Sequence, residues 1–223
     1  MNAHFSISDA FFNSWKALKS QIWILVGLFV GFYIIYFTLS IFLMPSSTTA
    51  FSFSIKLIIG YIVMLLFSLL FNLGYTKNCF QALDGEEPQF SAYGKQAPKI
   101  FKTLVASLFV VAIVFVGFCL LIIPGIYLCA RLQFYAAAIV EEDAGIMESL
   151  NRSWNLTKGN VMRLILLFLS YIGIITVGLL LLIIGVFVAE PVICLMYCDT
   201  YRQLCKNLPA EAKETIPQEE TAI

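Results

Sequence analysis

Residues 148–163 read ESLNRSWNLTKGNVMR, running from Glu148 to Arg163 straight into the apolar segment that begins at Leu164. Met147, Leu150, Trp154 and Val161 recur at spacings of one or two helical turns and form one stripe, with Asn151, Arg152, Asn155 and Lys158 off it. Such a helix is expected to lie along a membrane surface as the lead into a span. The N-terminus echoes it: Ser14-Trp15 followed by Lys19-Ser20-Gln21 matches Ser153-Trp154 followed by Lys158-Gly159-Asn160, each before a long apolar run. The chain therefore reads as a repeat protein.

Composition sets the class. Of 223 residues, 60% are hydrophobic and 13% charged, and the mean hydropathy is +0.88. Soluble domains carry about 25% charged residues, so an all-α integral membrane protein is expected. The formal net charge is zero, which leaves the argument to where the charges fall.

Ile22 to Met44 carries no charge and is long enough to cross a hydrocarbon core about 30 Å thick. It contains Gly27 and Gly31, the small-xxx-small spacing of a close helix contact. After the uncharged loop Pro45–Ser54, span two is expected over Ile55–Tyr75. A polar stretch over Thr76–Lys102 follows, holding a second lead that Pro98 interrupts. Thr103–Ile123 forms span three, broken by Pro124-Gly125, and Ile126–Val140 forms a short span four with Arg131 inside it. Leu164–Ile184 forms span five, ended by Gly185, and Val186–Cys198 forms span six with Glu190-Pro191 inside it. The expected architecture is six transmembrane helices as three parallel repeats of amphipathic lead plus helical hairpin, over roughly 6–75, 90–140 and 147–204. Residues 1–206 form the membrane domain, and 207–223 are expected to be a disordered cytoplasmic tail.

Of the 14 basic residues, all but Lys56 and Arg131 fall on one side of this layout. The positive-inside rule then places both termini in the cytoplasm. The segment LIIPGIYLCARLQFYAAAIVEEDAGIMESLNRSWNLTKGNVMRLILLFL, with Pro124, Gly125, Arg131, Glu141 or Glu142, Ser153, Trp154, Lys158 and Gly159, resembles the bacterial membrane-protein superfamily that includes the membrane domain of glycerophosphoryl diester phosphodiesterases and its stand-alone relatives. The resemblance implies a six-helix module of the inner membrane placed near lipid or envelope metabolism. No soluble phosphodiesterase domain accompanies it, so that activity is not implied.

Chemistry is sparse. His4 is the only histidine, so neither a histidine triad nor a multi-histidine metal site can be built. The six cysteines include no CxxC pair and read as small apolar filler. Glu141-Glu142-Asp143 suits either a divalent cation or a solvated helix end, and the second is favoured. No catalytic residue, cofactor or metal is expected. Arg131 and Glu190 are ionisable groups at membrane depth. Aligning Gly125 with Gly185 as outer turns puts the two at matching depth, so they are expected to pair. Trp15 and Trp154 are the expected interfacial anchors.

The function expected is a non-enzymatic multi-pass membrane protein that supports envelope or lipid homeostasis through cytoplasmic-face partners. The alternative is a small lipid or solute carrier with a polar pocket around Arg131 and Glu190. The partners implied are membrane lipids and other membrane or cytoplasmic proteins, with nothing pointing to nucleic acid. Side-specific reporters on the Ser46–Thr49 loop and the C-terminus test the layout. The loop should report outside and the C-terminus inside; a C-terminus found outside breaks the three-hairpin scheme, which requires an even number of spans.

Overall fold

The structure is a computed structural model and describes residues 5–43, 50–181 and 184–207. His4, the Ser46–Thr49 loop and the tail beyond Asn207 lie outside the described residues. Among the described residues there are nine α-helices and no strand: α1 Ile7–Leu43, α2 Ala50–Leu83, α3 Ser91–Gln96, α4 Ile100–Leu120, α5 Ile122–Leu132, α6 Tyr135–Glu142, α7 Ile146–Leu156, α8 Val161–Leu180 and α9 Ile184–Lys206.

The outer surface inverts that of a soluble domain. Trp23 and Phe42 are 89% and 86% exposed, and Ile123 and Leu180 are close behind. Large apolar side chains exposed in such continuous bands have no aqueous rationale. Among the described residues five stretches are long and apolar enough to cross a membrane: Ile7–Leu43, Leu57–Leu83, Ser91–Leu120, Ile122–Glu142 and Val161–Leu180. The expected sixth, on α9, is not among them. Its sequence carries Glu190, Asp199, Arg202 and Lys206, and it packs chiefly against α1, α8 and α2. Val192, Leu195, Met196, Cys198, Tyr201 and Leu204 of α9 are buried in the shared core with Leu25, Phe80, Phe134 and Leu167.

The three leads take graded forms. The first is continuous with its span, and α1 only kinks at Gln21, where φ is −135° and ψ is 28°. The second is α3 followed by a single 3-10 turn at Ala97–Lys99, set by Pro98. The third, α7, separates fully from α8 through a turn in which Gly159 has φ +82°, a left-handed conformation that glycine adopts without a Cβ penalty. Ser20 stands at the matching place in the first lead, where the chain bends without breaking.

Several boundaries shift from expectation. Helix α2 runs to Leu83, two turns past Tyr75, because Cys79, Phe80 and Ala82 are buried and keep the helix packed. The turn before α5 falls at Leu121, with φ −166° and ψ 158°, and Pro124-Gly125 lies inside the first turn of α5. Proline is tolerated there because a first-turn N–H has no intrahelical partner. The glycine serves close approach: a Cβ on Gly125 would meet the Phe118 ring at 2.5 Å, and one on Gly117 would lie 3.1 Å from Gly125 Cα. Gly178 and Gly185 do the same between α8 and α9. By contrast, a Cβ on Gly27 or Gly31 would meet nothing within 4 Å. These two line an open groove with Phe32, Phe71 and Tyr93 rather than a contact between helices of this chain.

The glycines thus divide into two classes with opposite sensitivity. Gly178→Val places a Cβ 2.9 Å from the Gly185 carbonyl oxygen, backbone that cannot swing aside, and should cost about 1–3 kcal/mol through overpacking. Gly27→Ala should be neutral or slightly stabilising. Thermal unfolding in detergent compares them, and equal losses would show that the α8–α9 contact does not set the hairpin.

Candidate functional site

The acidic run at the end of α6 is neither a solvated helix end nor a free cation site. Glu141 accepts from Lys77 Nζ at 3.3 Å and Arg202 NH2 at 2.7 Å. Glu142 takes Arg152 in a two-pronged pair at 2.8 and 2.9 Å, plus the Tyr201 hydroxyl at 2.6 Å. Asp143 pairs with Lys99 at 3.3 Å and Lys102 at 3.5 Å. Three consecutive carboxylates therefore gather cations from α2, the 97–99 turn, α4, α7 and α9. Arg202 also grips Asp84 through both guanidinium nitrogens and lies over the Phe80 ring at 5.0 Å.

Local geometry explains why the run can do this. Asp143 caps α6 in the left-handed region at φ 52°, and both its own N–H and that of Ala144 return to Ala138 O, the latter at 3.3 Å, so the turn satisfies a terminal carbonyl of the helix. Glycine is usual at such a position, whereas aspartate tolerates it and here adds two lysine partners. Lys99 Nζ also donates to the Ile139 and Val140 carbonyls, placing positive charge at the negative end of the helix dipole. Glu148 accepts from Gly145 N–H at 3.0 Å and starts α7 immediately afterwards.

Charge partners move the titrations accordingly. The Arg202 hydrogen bond holds the Asp84 carboxyl below its ordinary range, against the opposing pull of burial. Burial works against the Arg152 cation, but the bonds to Glu142 win and its pKa stands above the ordinary value.

Arg131 and Glu190 do not meet. No ion pair joins them among the described residues. The buried Arg131 guanidinium lies 4.0 Å from the Trp154 ring centre and 5.8 Å from that of Tyr127, a cation–π arrangement in place of an ion pair. Glu190 sits on α9 near Tyr33 and Cys194. Matching depth in the glycine alignment does not choose a face: α5 packs on α4, α7 and α8, whereas α9 packs chiefly on α1, α8 and α2.

The backbone around Arg131 explains Ser153. Helices α5 and α6 break at Gln133-Phe134, and side chains meet the Arg131 and Gln133 carbonyls and the Phe134 and Ala137 N–H groups there. Ser153 Oγ donates to Arg131 O at 2.8 Å and accepts from Phe134 N–H at 3.0 Å. The Thr157 hydroxyl lies within reach of two acceptors, Ser153 O at 2.7 Å and Arg131 O at 3.1 Å. The Tyr197 hydroxyl donates to Gln133 O at 2.9 Å and accepts from Ala137 N–H at 3.3 Å. Broken backbone is tolerated away from water only when satisfied in this way. The inward face of α7 is accordingly Ser149, Leu150, Ser153 and Leu156, rotated from the expected Met147–Leu150–Trp154 stripe, and Met147 is 63% exposed.

The remaining motif residues are dispersed. Lys158 is exposed at the turn before α8 beside Gly159, and Pro124 and Gly125 serve the α4–α5 hairpin. Trp15 stacks on Phe11 at 6.3 Å with Lys19 Nζ 5.5 Å from its ring, so each anchor tryptophan holds a cation. Among the described residues no three His, Cys, Asp or Glu side chains are grouped to hold a metal ion. The ion-pair cluster escaped sequence reasoning because its partners lie 10 to 118 residues apart. The one signal was that acids and bases crowd the same side of the layout in balanced number.

Residues 91–216, more than half of the chain, match the model of a family described as a domain of unknown function, DUF7847. The chain belongs to this family. The DUF7847 stretch holds α3 to α9 and so contains Glu141, Glu142, Asp143 and every partner of theirs except Lys77. Relatives include the uncharacterized protein Rv2560 of Mycobacterium tuberculosis and the uncharacterized protein Mb2590 of Mycobacterium bovis. Each is 27% identical over 163 residues, covering 73% of this chain and 50% of its own. The chain thus spans about half the length of these curated relatives. No solved structure matches it.

The cluster makes a testable energetic statement. Glu142 and Arg152 side chains are only 19% and 12% exposed, so Arg152→Met strands a carboxylate and should cost about 1–3 kcal/mol. The double substitution E142Q/R152M should recover much of that loss; strictly additive losses in thermal unfolding would show that the two are not partners. The lowered Asp84 carboxyl adds a pH signature. Its contribution is complete above the ordinary carboxylate range and disappears as pH falls through the lowered value, and Asp84→Asn should abolish that acid-side loss.

Proposed function

We propose that this DUF7847 chain is a non-enzymatic multi-pass module of the bacterial inner membrane. Its charged end faces the cytoplasm, and it supports envelope or lipid homeostasis through partners bound at that end. The observation that carries the reading is the division of the molecule. One end concentrates the ion-pair cluster and an open polar cleft, while the flanks are continuous apolar surface. A scaffold cross-braced among α2, α4, α6, α7 and α9 holds its polar surface in fixed register, which suits recognition.

In this proposal α9 is the sixth span, and the chain comprises three parallel lead-and-hairpin repeats. Two features support the repeat. The hairpins α4/α5 and α8/α9 close on matching glycine pairs, 117 with 125 and 178 with 185. The bend at Gln21 and the break before Val161 also fall at corresponding places. The resemblance to the membrane domains of glycerophosphoryl diester phosphodiesterases belongs to the same proposal. The separation of Arg131 from Glu190 removes the polar pocket on which a carrier would depend.

A deletion strain profiled for lipid composition and envelope integrity tests the reading, alongside purified protein in liposomes. The proposal expects altered lipid composition restored by the intact gene, with no solute or lipid flux in liposomes. An unchanged lipid profile together with protein-dependent flux would replace it with the carrier.

A further inference from the structure

Beside the ion-pair cluster, on the same end of the molecule, lies a cleft of about 780 Å³. Its walls are the first turns of α1, the end of α2 with the Asp84-Gly85 turn, and the last turns of α9. That volume falls within the range of small-molecule sites. Three bases and three acids line it, and one pair is already spoken for: Arg202 is taken by Asp84 and Glu141.

The other four charges are not paired with one another. Lys16 and Lys206 have no ion-pair partner among the described residues, and neither do Asp9 and Asp199. Asp199 is nonetheless held in place. Gln203 Nε2 donates to it at 2.7 Å, and Asn13 Nδ2 stands 3.5 Å from both of its oxygens. The cleft therefore presents two ammonium groups and two carboxylates that remain available, one of them fixed by neighbouring amides. A purely anionic ligand would face Asp9 and Asp199, and a purely cationic one would face Lys16 and Lys206. A ligand carrying both signs meets a partner for each. The cleft is also bordered by apolar surface, since Phe12 lines it while 66% exposed and Trp15 stands one turn along.

From these charges we infer that the cleft binds a phosphorylated amino alcohol of the phosphoethanolamine type, its ammonium on the central Asp9 and Asp199 carboxylates and its phosphate on a flanking lysine, Lys16 or Lys206. The same chemistry occurs as a lipid headgroup and as a free phosphoester. The inference deepens the proposed function by naming a ligand class for the charged end. It concerns binding alone, so it stands or falls separately from cellular role or orientation.

The test uses the full chain in uncharged detergent, titrated calorimetrically with O-phosphorylethanolamine, inorganic phosphate and ethanolamine. Saturable binding is expected for phosphorylethanolamine, with each half-ligand weaker. The K16Q/K206Q variant should lose about tenfold or more in affinity for both phosphorylethanolamine and phosphate. The D9N/D199N variant should lose similarly for phosphorylethanolamine while binding phosphate as well as the wild type or better. That crossover distinguishes a two-sign site from a general loss of structure, and circular dichroism checks that both variants keep their helices. Nanodiscs with and without phosphatidylethanolamine separate the sources. Competition by the lipid discs supports a headgroup, and binding of the soluble phosphoester alone supports a free ligand. Absence of saturable binding in both formats, or equal losses for phosphate in the two variants, would falsify the assignment.

Discussion

Everything at the charged end depends on the ion pairs of Glu141, Glu142 and Asp143. Apolar helices surrounded by lipid gain little from burying one another, because the alternative environment is equally apolar. Their register must come from close packing and from polar contacts at their ends. Here three adjacent carboxylates supply the second for α2, α4, α7 and α9 at once. An exposed pair contributes about 0–1 kcal/mol, but these pairs share side chains. Arg202 serves both Asp84 and Glu141, and Asp143 serves both lysines, so ordering one side chain organises two contacts.

The same economy governs the interruption between α5 and α6. A break in a helix releases backbone groups that must find partners, and hydroxyls on α7 and α9 provide them. Ser153, Thr157 and Tyr197 are thereby committed to the interior. That commitment turns α7 about its axis and brings Trp154 over Arg131. A surface-seeking helix thus became a structural brace whose outer edge alone faces the surroundings.

Much of this was readable in advance, and the divisions between success and failure are physical. Local rules located the interruption at Pro98, began the first span at Ile22 beside the Gln21 kink, and marked Gly125 and Gly185 near the hairpin ends, since each follows from backbone chemistry within a few residues. Periodicity also gave the all-helical, apolar character. It misplaced the inward face of α7 because a hydrophobic stripe weighs leucine above serine, and here hydrogen-bond demand from a distant break decided the orientation. The partner of Arg131 was missed for a related reason: counting residues from a turn gives only a position along a helix, whereas the azimuth of each helix is set by neighbours that no single segment encodes. Counting basic residues as free surface charge likewise hid their acidic partners.

The clasp between the two ends of the described chain has a temporal side. Ser6 N–H bonds Gln203, Arg163 reaches back to Phe5 O, and Asp84 waits for Arg202 across 118 residues. At a synthesis rate of about 5–20 residues per second, that interval lasts on the order of ten seconds. Throughout it, the early hairpins stand in the bilayer with their acidic and basic ends still solvated and their mutual angles unset. Helix α9 makes these bonds only when it emerges, so assembly resembles a loose sheaf drawn tight from its last helix.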